Sequence, residues 1–407
     1  MRYYVSQGLL LPEVHNKQYR FNELCIADMD MILQLKRFEF SIAQMQEILS
    51  LIRLSNLTAE DDIADLINIL EKKNAELKTT IARLEQASLD LTYYIKSVKK
   101  GRNTFSAEPV KKGIPITMLS LLCCPDCGQN LSLQNADIQN GQVIRAEATC
   151  PCGYHAVIQN GILITEGGKI SQLDSPDIDH KFYKDLPVSW VTLFQRAFNW
   201  MLARYASLDL SGKVVMENHV NCYFFLFARL SNLQKNANYI IIDKYPEIVS
   251  LFKDMIERQN PDLNILYIAD STFQYPLKKG CVDLYVDFCS LNEYAIFNHE
   301  KNLFEIIVPY LAQNAEALGT YFYFLPNSPS QKKLLREYPG GAEDNYQFSH
   351  FLEAAQKINL SINKAEEIGS VTDWGGKNRN FTFHVPDDPM FLYAYHCKQK
   401  PQRQACR

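Results

Sequence analysis

Four cysteines stand at spacings that suit a metal ion. Cys124-Pro125-Asp126-Cys127 offers two thiols on a tight turn, and after 22 intervening residues Cys150-Pro151-Cys152 offers two more. Tetrahedral zinc takes four thiolates from two such knuckles bracketing a short strand pair. The second hand has one residue between its cysteines where two are usual, so His155 and Cys123 stand as alternatives to Cys152. The expectation is a structural Zn2+ on Cys124, Cys127, Cys150 and Cys152, since four protein ligands leave no open position for chemistry.

A second set of residues able to do chemistry closes a series of short apolar runs. Lys213 to Met216, Tyr239 to Ile242, Leu263 to Ile268, Val282 to Val286 and Thr320 to Phe324 read as strands, separated by helical stretches such as Pro246 to Gln259 and Glu300 to Ala312. That alternation predicts a doubly wound sheet. Glu217 closes the first strand, Asp243 the second and Asp270 the third, while Asp283 and Asp287 lie in the fourth. The 26- and 27-residue spacings between the first three acids fit one strand-helix-strand unit each. This pattern resembles the class I S-adenosylmethionine-dependent methyltransferases. The resemblance implies a Rossmann-like sheet in which Asp243 binds ribose hydroxyls and Asp270 faces adenine, with Glu217, Asp243 and Asp270 as the cofactor set. The glycine loop departs from the family: His219, Asn221 and Tyr223 stand at its three glycine positions. Asn tolerates a left-handed turn, but His and Tyr bring bulk where backbone must approach the cofactor. His219 is expected to be structural, and Cys222, Cys281 and Cys289 are expected to be core residues. With no nucleophile constellation anywhere, no catalytic residue is assigned. Trp190, Phe194, Phe198 and Trp200 form a stripe that suits a core or a pocket cover, and Gly369 to Asn380 suits a flexible loop at a pocket mouth.

Stepping toward the N-terminus, the residue types change. Arg2, Tyr3 and Tyr4 on one helical turn, then Lys17, Tyr19 and Arg20 in a turn-rich stretch, supply cationic and phenolic donors suited to phosphate oxygens. Gly8-Leu9-Leu10 lies between them, and Leu35 to Ile42 leads on to Glu47-Ile48-Leu49. Over about fifty residues this order resembles the MerR-type transcription regulators, with Glu39 in place of a usual glycine and Asn22 in place of a second wing aromatic. The resemblance implies a winged helix-turn-helix whose base-reading part would precede Arg2, a double-stranded promoter DNA partner, and a small-molecule effector. Residues 23 to 49 read as two helices, the second capped by Ser41.

From Ile63, steps of four and three run through Ile67, Leu70, Asn74, Leu77, Ile81, Leu84, Ser88, Leu91, Ile95 and Val98, and nine of these eleven positions are apolar. Charged residues lie outside the seam, so a coiled coil pairing two copies of the chain is expected, with Asn74 fixing register.

These elements sum to a multidomain α plus α/β chain: a truncated DNA-binding domain (1–58), a dimerisation coiled coil (59–100), a zinc ribbon (116–168) and a methyltransferase-like α/β domain (176–397). At 407 residues, 47% apolar and 22% charged, the chain has room for a large core. No run approaches a membrane span, and 11 cysteines without a secretory signal point to a cytoplasmic location with thiols and metal in place of disulfides. A net charge of −4 excludes a protein that coats nucleic acid generally. The expected function is a MerR-type regulator whose methyltransferase-like domain is a sensor without enzymatic activity. The alternative is an active S-adenosylmethionine-dependent methyltransferase with a helical dimerisation or docking N-terminus.

Overall fold

A computed structural model describes residues 1–16, 18–104, 112–179, 181–221 and 223–399. Two compact units divide the chain, Met1–Arg102 and Asn103–Arg407.

In the first unit, helix α1 (Arg2–Ser6) precedes a hairpin of β1 (Glu13–His15) and β2 (Gln18–Arg20), followed by α2 (Glu23–Arg37), α3 (Ile42–Ser55) and α4 (Glu60–Thr104). Asn22 caps α2, accepting from the Cys25 amide at 3.1 Å. Ser41 caps α3 in a reciprocal box with Gln44, which accepts in turn from the Ser41 amide at 2.9 Å. Glu39, at the position where the resemblance expects glycine, holds a left-handed φ of 60°. A non-glycine residue there costs about 1–2 kcal/mol, so the turn keeps its shape at some expense of stability. Leu9, Leu10, Ile32, Leu35, Phe40, Met45, Ile48 and Leu49 form the small core. The α4 side chains that pack on that core are Leu66 and Ile69, whereas the seam residues Ile67, Leu84 and Leu91 are exposed.

The second unit is built on one twelve-stranded sheet. Its strands are β3 (Ile114–Pro115), β4 (Ser132–Gln139), β5 (Gln142–Thr149), β6 (His155–Gln159), β7 (Ile162–Thr165), β8 (Val214–Asn218), β9 (Asn238–Asp243), β10 (Asn264–Ala269), β11 (Val282–Phe288), β12 (Leu311–Phe324), β13 (Leu360–Val371) and β14 (Met390–Gln399). They lie in the order β13-β14-β12-β11-β8-β9-β10-β7-β6-β5-β3, with β4 on β5. Strands β10, β9, β8, β11 and β12 are parallel, and β14 runs antiparallel between β12 and β13. The strand order reverses between β8 and β11, the switch point at which doubly wound sheets open a crevice. This is a Rossmann-like, doubly wound arrangement. Helices α5 (Val188–Tyr205), α6 (Pro246–Gln259), α7 (Ser290–Phe297), α8 (Leu303–Ile307), α9 (Pro329–Glu337) and α10 (Phe348–Lys357) cover it. Alternate residues of β8 feed separate cores, Val215 into one and Val214 with Met216 into the other, so both faces are buried.

Three expectations are corrected. The ribbon strands do not stand apart: β7 pairs in parallel with β10, and the ribbon extends the large sheet. The helix expected over Glu300 to Ala312 shrinks to α8, because Pro309 cannot continue it and β12 starts at Leu311. The expected truncated winged helix-turn-helix is represented by a five-residue α1 and a hairpin of two three-residue strands, which do not by themselves show such a unit.

Candidate functional site

The cysteine cluster is assembled by two turns at one end of the ribbon. The Gly128 amide donates to the Cys124 carbonyl at 2.9 Å and the Gly153 amide to that of Cys150 at 3.0 Å, with both glycines left-handed. These tight turns bring Cys124 Sγ within 3.4 Å of Cys152 Sγ and Cys127 Sγ within 3.4 Å of Cys150 Sγ. All four sulfurs lie within 4.8 Å of one another and could hold a metal ion. The alternatives point elsewhere. Cys123 Sγ contacts Asn130 Oδ1 at 3.2 Å, and His155 faces Glu166 at 3.8 Å.

The strand-end acids come together at the switch point, yet each is spent on the chain itself. Glu217 accepts from the Phe225 and Leu226 amides at 2.7 and 2.9 Å, and burial pushes its carboxyl up to about 8. Asp243 accepts from the Asn221 and Tyr245 amides at 2.9 and 3.0 Å; burial raises it to about 6 against the pull of Lys244. Asp270 accepts from Thr165 Oγ1 at 2.6 Å and from the Thr272 and Phe273 amides at 3.0 and 2.8 Å. Thr165 ends β7, so joining the ribbon to the sheet is what consumes Asp270. All three carboxylates are no more than 2% exposed.

The loop after β8 fills the space that glycines would leave. His219, at a left-handed φ of 53°, is buried with its ring stacked on Phe273 at 5.8 Å and edge-on to Tyr294 at 5.7 Å. Burial, aided by Lys244, lowers its pKa well below the ordinary value, so it stays neutral. Asn221 ties down a strap over the crevice: its Oδ1 accepts from the Asp177 amide at 2.7 Å and its Nδ2 donates to the Ser175 carbonyl at 3.1 Å.

Beside that strap lies a cavity of about 140 Å³. Phe182, Phe194, Tyr223, Phe288, Phe322 and Phe381 supply ring walls, and Asp174, Glu293, Asn292 and Arg379 supply polar ones. Tyr223 stacks on Phe288 at 4.1 Å, so the residue at the third glycine position has become pocket wall. Lys244 bridges Asp174 and, at 3.4 Å, Glu293. Burial drives Glu293 up to about 8 although Lys244 opposes it. Arg379 pairs with Asp177 at 3.0 Å.

Of the aromatic stripe, Phe194 faces the cavity, while Trp190 and Phe198 are core and Trp200 donates to Glu366 at 2.8 Å. Residues 369–380 do contribute to the wall through Arg379 and Asn380, but the segment is pinned: Asn378 Nδ2 donates to the Phe182 and Lys184 carbonyls at 2.8 and 2.6 Å. Cys289 is half-buried, lines the cavity and lies 3.2 Å from Thr320 Oγ1; Cys281 is also half-buried, and Cys222 lies outside the described residues. Sequence reading passed over Asp174, Lys244 and Glu293. Lys244 directly after a strand-end acid was the available signal, since a cation buried at a switch point requires carboxylate partners.

In the first unit, Arg2, Tyr3, Tyr19 and Arg20 are exposed, Tyr4 packs against the small core, and Lys17 lies outside the described residues.

No protein-family model matches the chain, and no curated protein does. Solved structures that resemble it include methyltransferases. One is phosphoethanolamine N-methyltransferase 2 of Haemonchus contortus with S-adenosyl-L-methionine, at 12% identity and a TM-score of 0.38, covering 57% of this chain and 61% of that one. The chain thus spans about three fifths of that enzyme's length. A second is a SAM-dependent methyltransferase from Aquifex aeolicus, at 12% identity and a TM-score of 0.37, covering 56% of this chain and 100% of that one. A third is the N-methyltransferase NodS of Bradyrhizobium japonicum, at 11% identity and a TM-score of 0.36, covering 55% and 97%. These findings correct the assignment to transcription regulation, MerR-type DNA binding and a helix-turn-helix. What these comparisons name is methyltransferases.

Proposed function

We propose that residues 112–399 form a ligand-binding module on a methyltransferase-like fold, with its site in the aromatic cavity at the switch point. We also assign Zn2+ to the Cys124, Cys127, Cys150 and Cys152 cluster, as a staple holding the ribbon turns. One observation carries the reading of the cavity. The carboxylates that would recognise S-adenosylmethionine have their acceptor oxygens occupied by protein donors, while an open, ring-lined space stands next to them. His219 and Tyr223 add bulk where the cofactor's methionine part would pass. S-adenosylmethionine in its usual pose therefore does not fit these residues.

A second reading has its own support. Glu217, Asp243 and Asp270 do end three adjacent parallel strands, and the strap at Asp174 to Asp177 is held to the crevice by two side-chain hydrogen bonds from Asn221 and by ion pairs to Lys244 and Arg379. Lifting that strap would turn the unit into an S-adenosylmethionine-dependent methyltransferase. Calorimetric titration of the full chain with S-adenosylmethionine separates the two. No saturable heat is expected at millimolar cofactor. Micromolar binding that disappears in Asp243→Ala would establish the methyltransferase instead.

A further inference from the structure

Resting on the reading of the cavity as a ligand site, we infer that its ligand is a small organic cation, held with its positive nitrogen toward Asp174 and Glu293 and its body among the rings. Size comes first. At about 140 Å³ the cavity is well below the roughly 300–1,000 Å³ of pockets that take drug- or cofactor-sized ligands. A ligand of few heavy atoms fits, and a nucleoside does not.

Charge comes next. The side chains of Asp174 and Glu293 are 7% and 14% exposed, and both face the same ammonium, that of Lys244, itself 6% exposed. Two carboxylates share one cation, and Asp243 adds a third acid directly beside it. At the mouth the Arg379 guanidinium is already answered by Asp177. With Glu293 mostly protonated at neutral pH, Asp174 and Lys244 balance; ionising Glu293 beside Asp243 would leave an excess of negative charge in a poorly solvated place, where an unpaired charge is costly. A bound cation would supply the missing partner.

The walls agree with this. Phe182, Phe194, Tyr223, Phe288, Phe322 and Phe381 surround the space, and ring faces attract cations through their quadrupoles, most strongly when water is excluded. Quaternary ammonium groups have no N–H donors, are weakly hydrated and lose little on entering such a box. An anion would meet the acids, and a neutral sugar would leave its hydroxyls facing rings.

Glu293 also couples binding to protons. It faces Lys244 and Asp243 at the end of β9, Asp174 in the strap, Cys289 ahead of α7, and the neutral His219 reached through Lys244. Held mostly protonated at neutral pH by burial, it would ionise when a cation arrives and release a proton. Cation affinity should therefore rise as pH increases toward about 8.

Choline and its uncharged carbon isostere, 3,3-dimethylbutan-1-ol, probe this at constant shape. Titrated into the full chain and followed by calorimetry and tyrosine fluorescence, choline should bind at least tenfold more tightly than the isostere. Glu293→Gln should remove most of that preference while leaving isostere binding in place; Phe288→Leu, which keeps the cavity apolar, should weaken choline alone. Equal affinity for the two probes overturns the cation assignment and leaves the cavity as a ligand site. Failure of both probes to bind overturns the cavity reading itself along with the inference.

Discussion

The cysteine cluster and the strand-end acids are both sets of chemically capable side chains brought together by the fold, but they differ in what their donor and acceptor atoms already hold. The four sulfurs converge within 4.8 Å and find mainly one another. The three carboxylates converge on the same crevice and find backbone amides and threonine hydroxyls, so every carboxylate oxygen already accepts at least one hydrogen bond from the chain. Proximity alone does not make a site. Convergence with unspent valence does, and by that criterion the ribbon end and the ring-lined cavity qualify while the strand-end acids do not.

The largest expected effect tests the first half of that contrast. If the sulfurs are a zinc site, the purified chain carries about one zinc, and Cys127→Ser reduces it far below one. Structural zinc is worth on the order of 10 kcal/mol in small domains, so loss of one ligand should cost several kcal/mol. Hydrogen exchange should show β4 to β7 losing protection before the rest of the sheet. A zinc-free wild type that melts as the variant does would place the cluster alongside the acids as an inert constellation.

Next in size, Asp243→Ala tests the second half. Two buried amides, of Asn221 and Tyr245, would lose their acceptor, each at about 1–3 kcal/mol. Denaturant unfolding should therefore show a loss of about 2–6 kcal/mol, with Asp243→Asn recovering part of it through its remaining oxygen. An alanine variant as stable as the wild type would mean that the carboxylate is not structural and is free for a ligand.

Sequence made much of this legible because local rules governed it. The caps at Asn22 and Ser41 are each set within a few residues, and the Pro246–Gln259 helix is marked by its leading proline, strong amphipathic period and length. The parallel strands β8 to β11 were readable as apolar runs because both faces are buried. Strands β13 and β14 were not. Much of β13 is exposed, and its partner β14 is placed by non-local pairing with β12. The site was half visible. Asp243 and Asp270 were found at strand ends, but that Thr165 from the ribbon satisfies Asp270 depends on the β7–β10 pairing, across a sequence separation of 105 residues. Asp174 lies in a segment without regular structure whose position follows from Asn221 and Lys244, so no periodicity could have marked it.

The smallest effect is a slope. Glu217 has a folded pKa raised to about 8 from an ordinary 4.5, because burial outweighs the two amide hydrogen bonds. A raised pKa means that the folded state binds the proton more tightly than the unfolded chain. Its stabilising contribution is thus complete below about pH 4.5 and is lost as pH rises through about 8, at no more than about 1.4 kcal/mol per pH unit. Asp243 and Glu293 act in the same direction up to about 6 and about 8. His219 acts oppositely, since its depressed pKa gives stability that is present above about 6.5 and lost in acid. With three such carboxyls against one histidine, stability of the second unit should fall as pH rises from about 5 to about 8. Glu217→Gln should flatten the decline between pH 6 and 8 while lowering stability at pH 5, because its amide keeps only one acceptor for the Phe225 and Leu226 amides. An unchanged slope would show that Glu217 is ionised throughout, with its two hydrogen bonds outweighing burial, and would return it to the set of acids able to answer a cation.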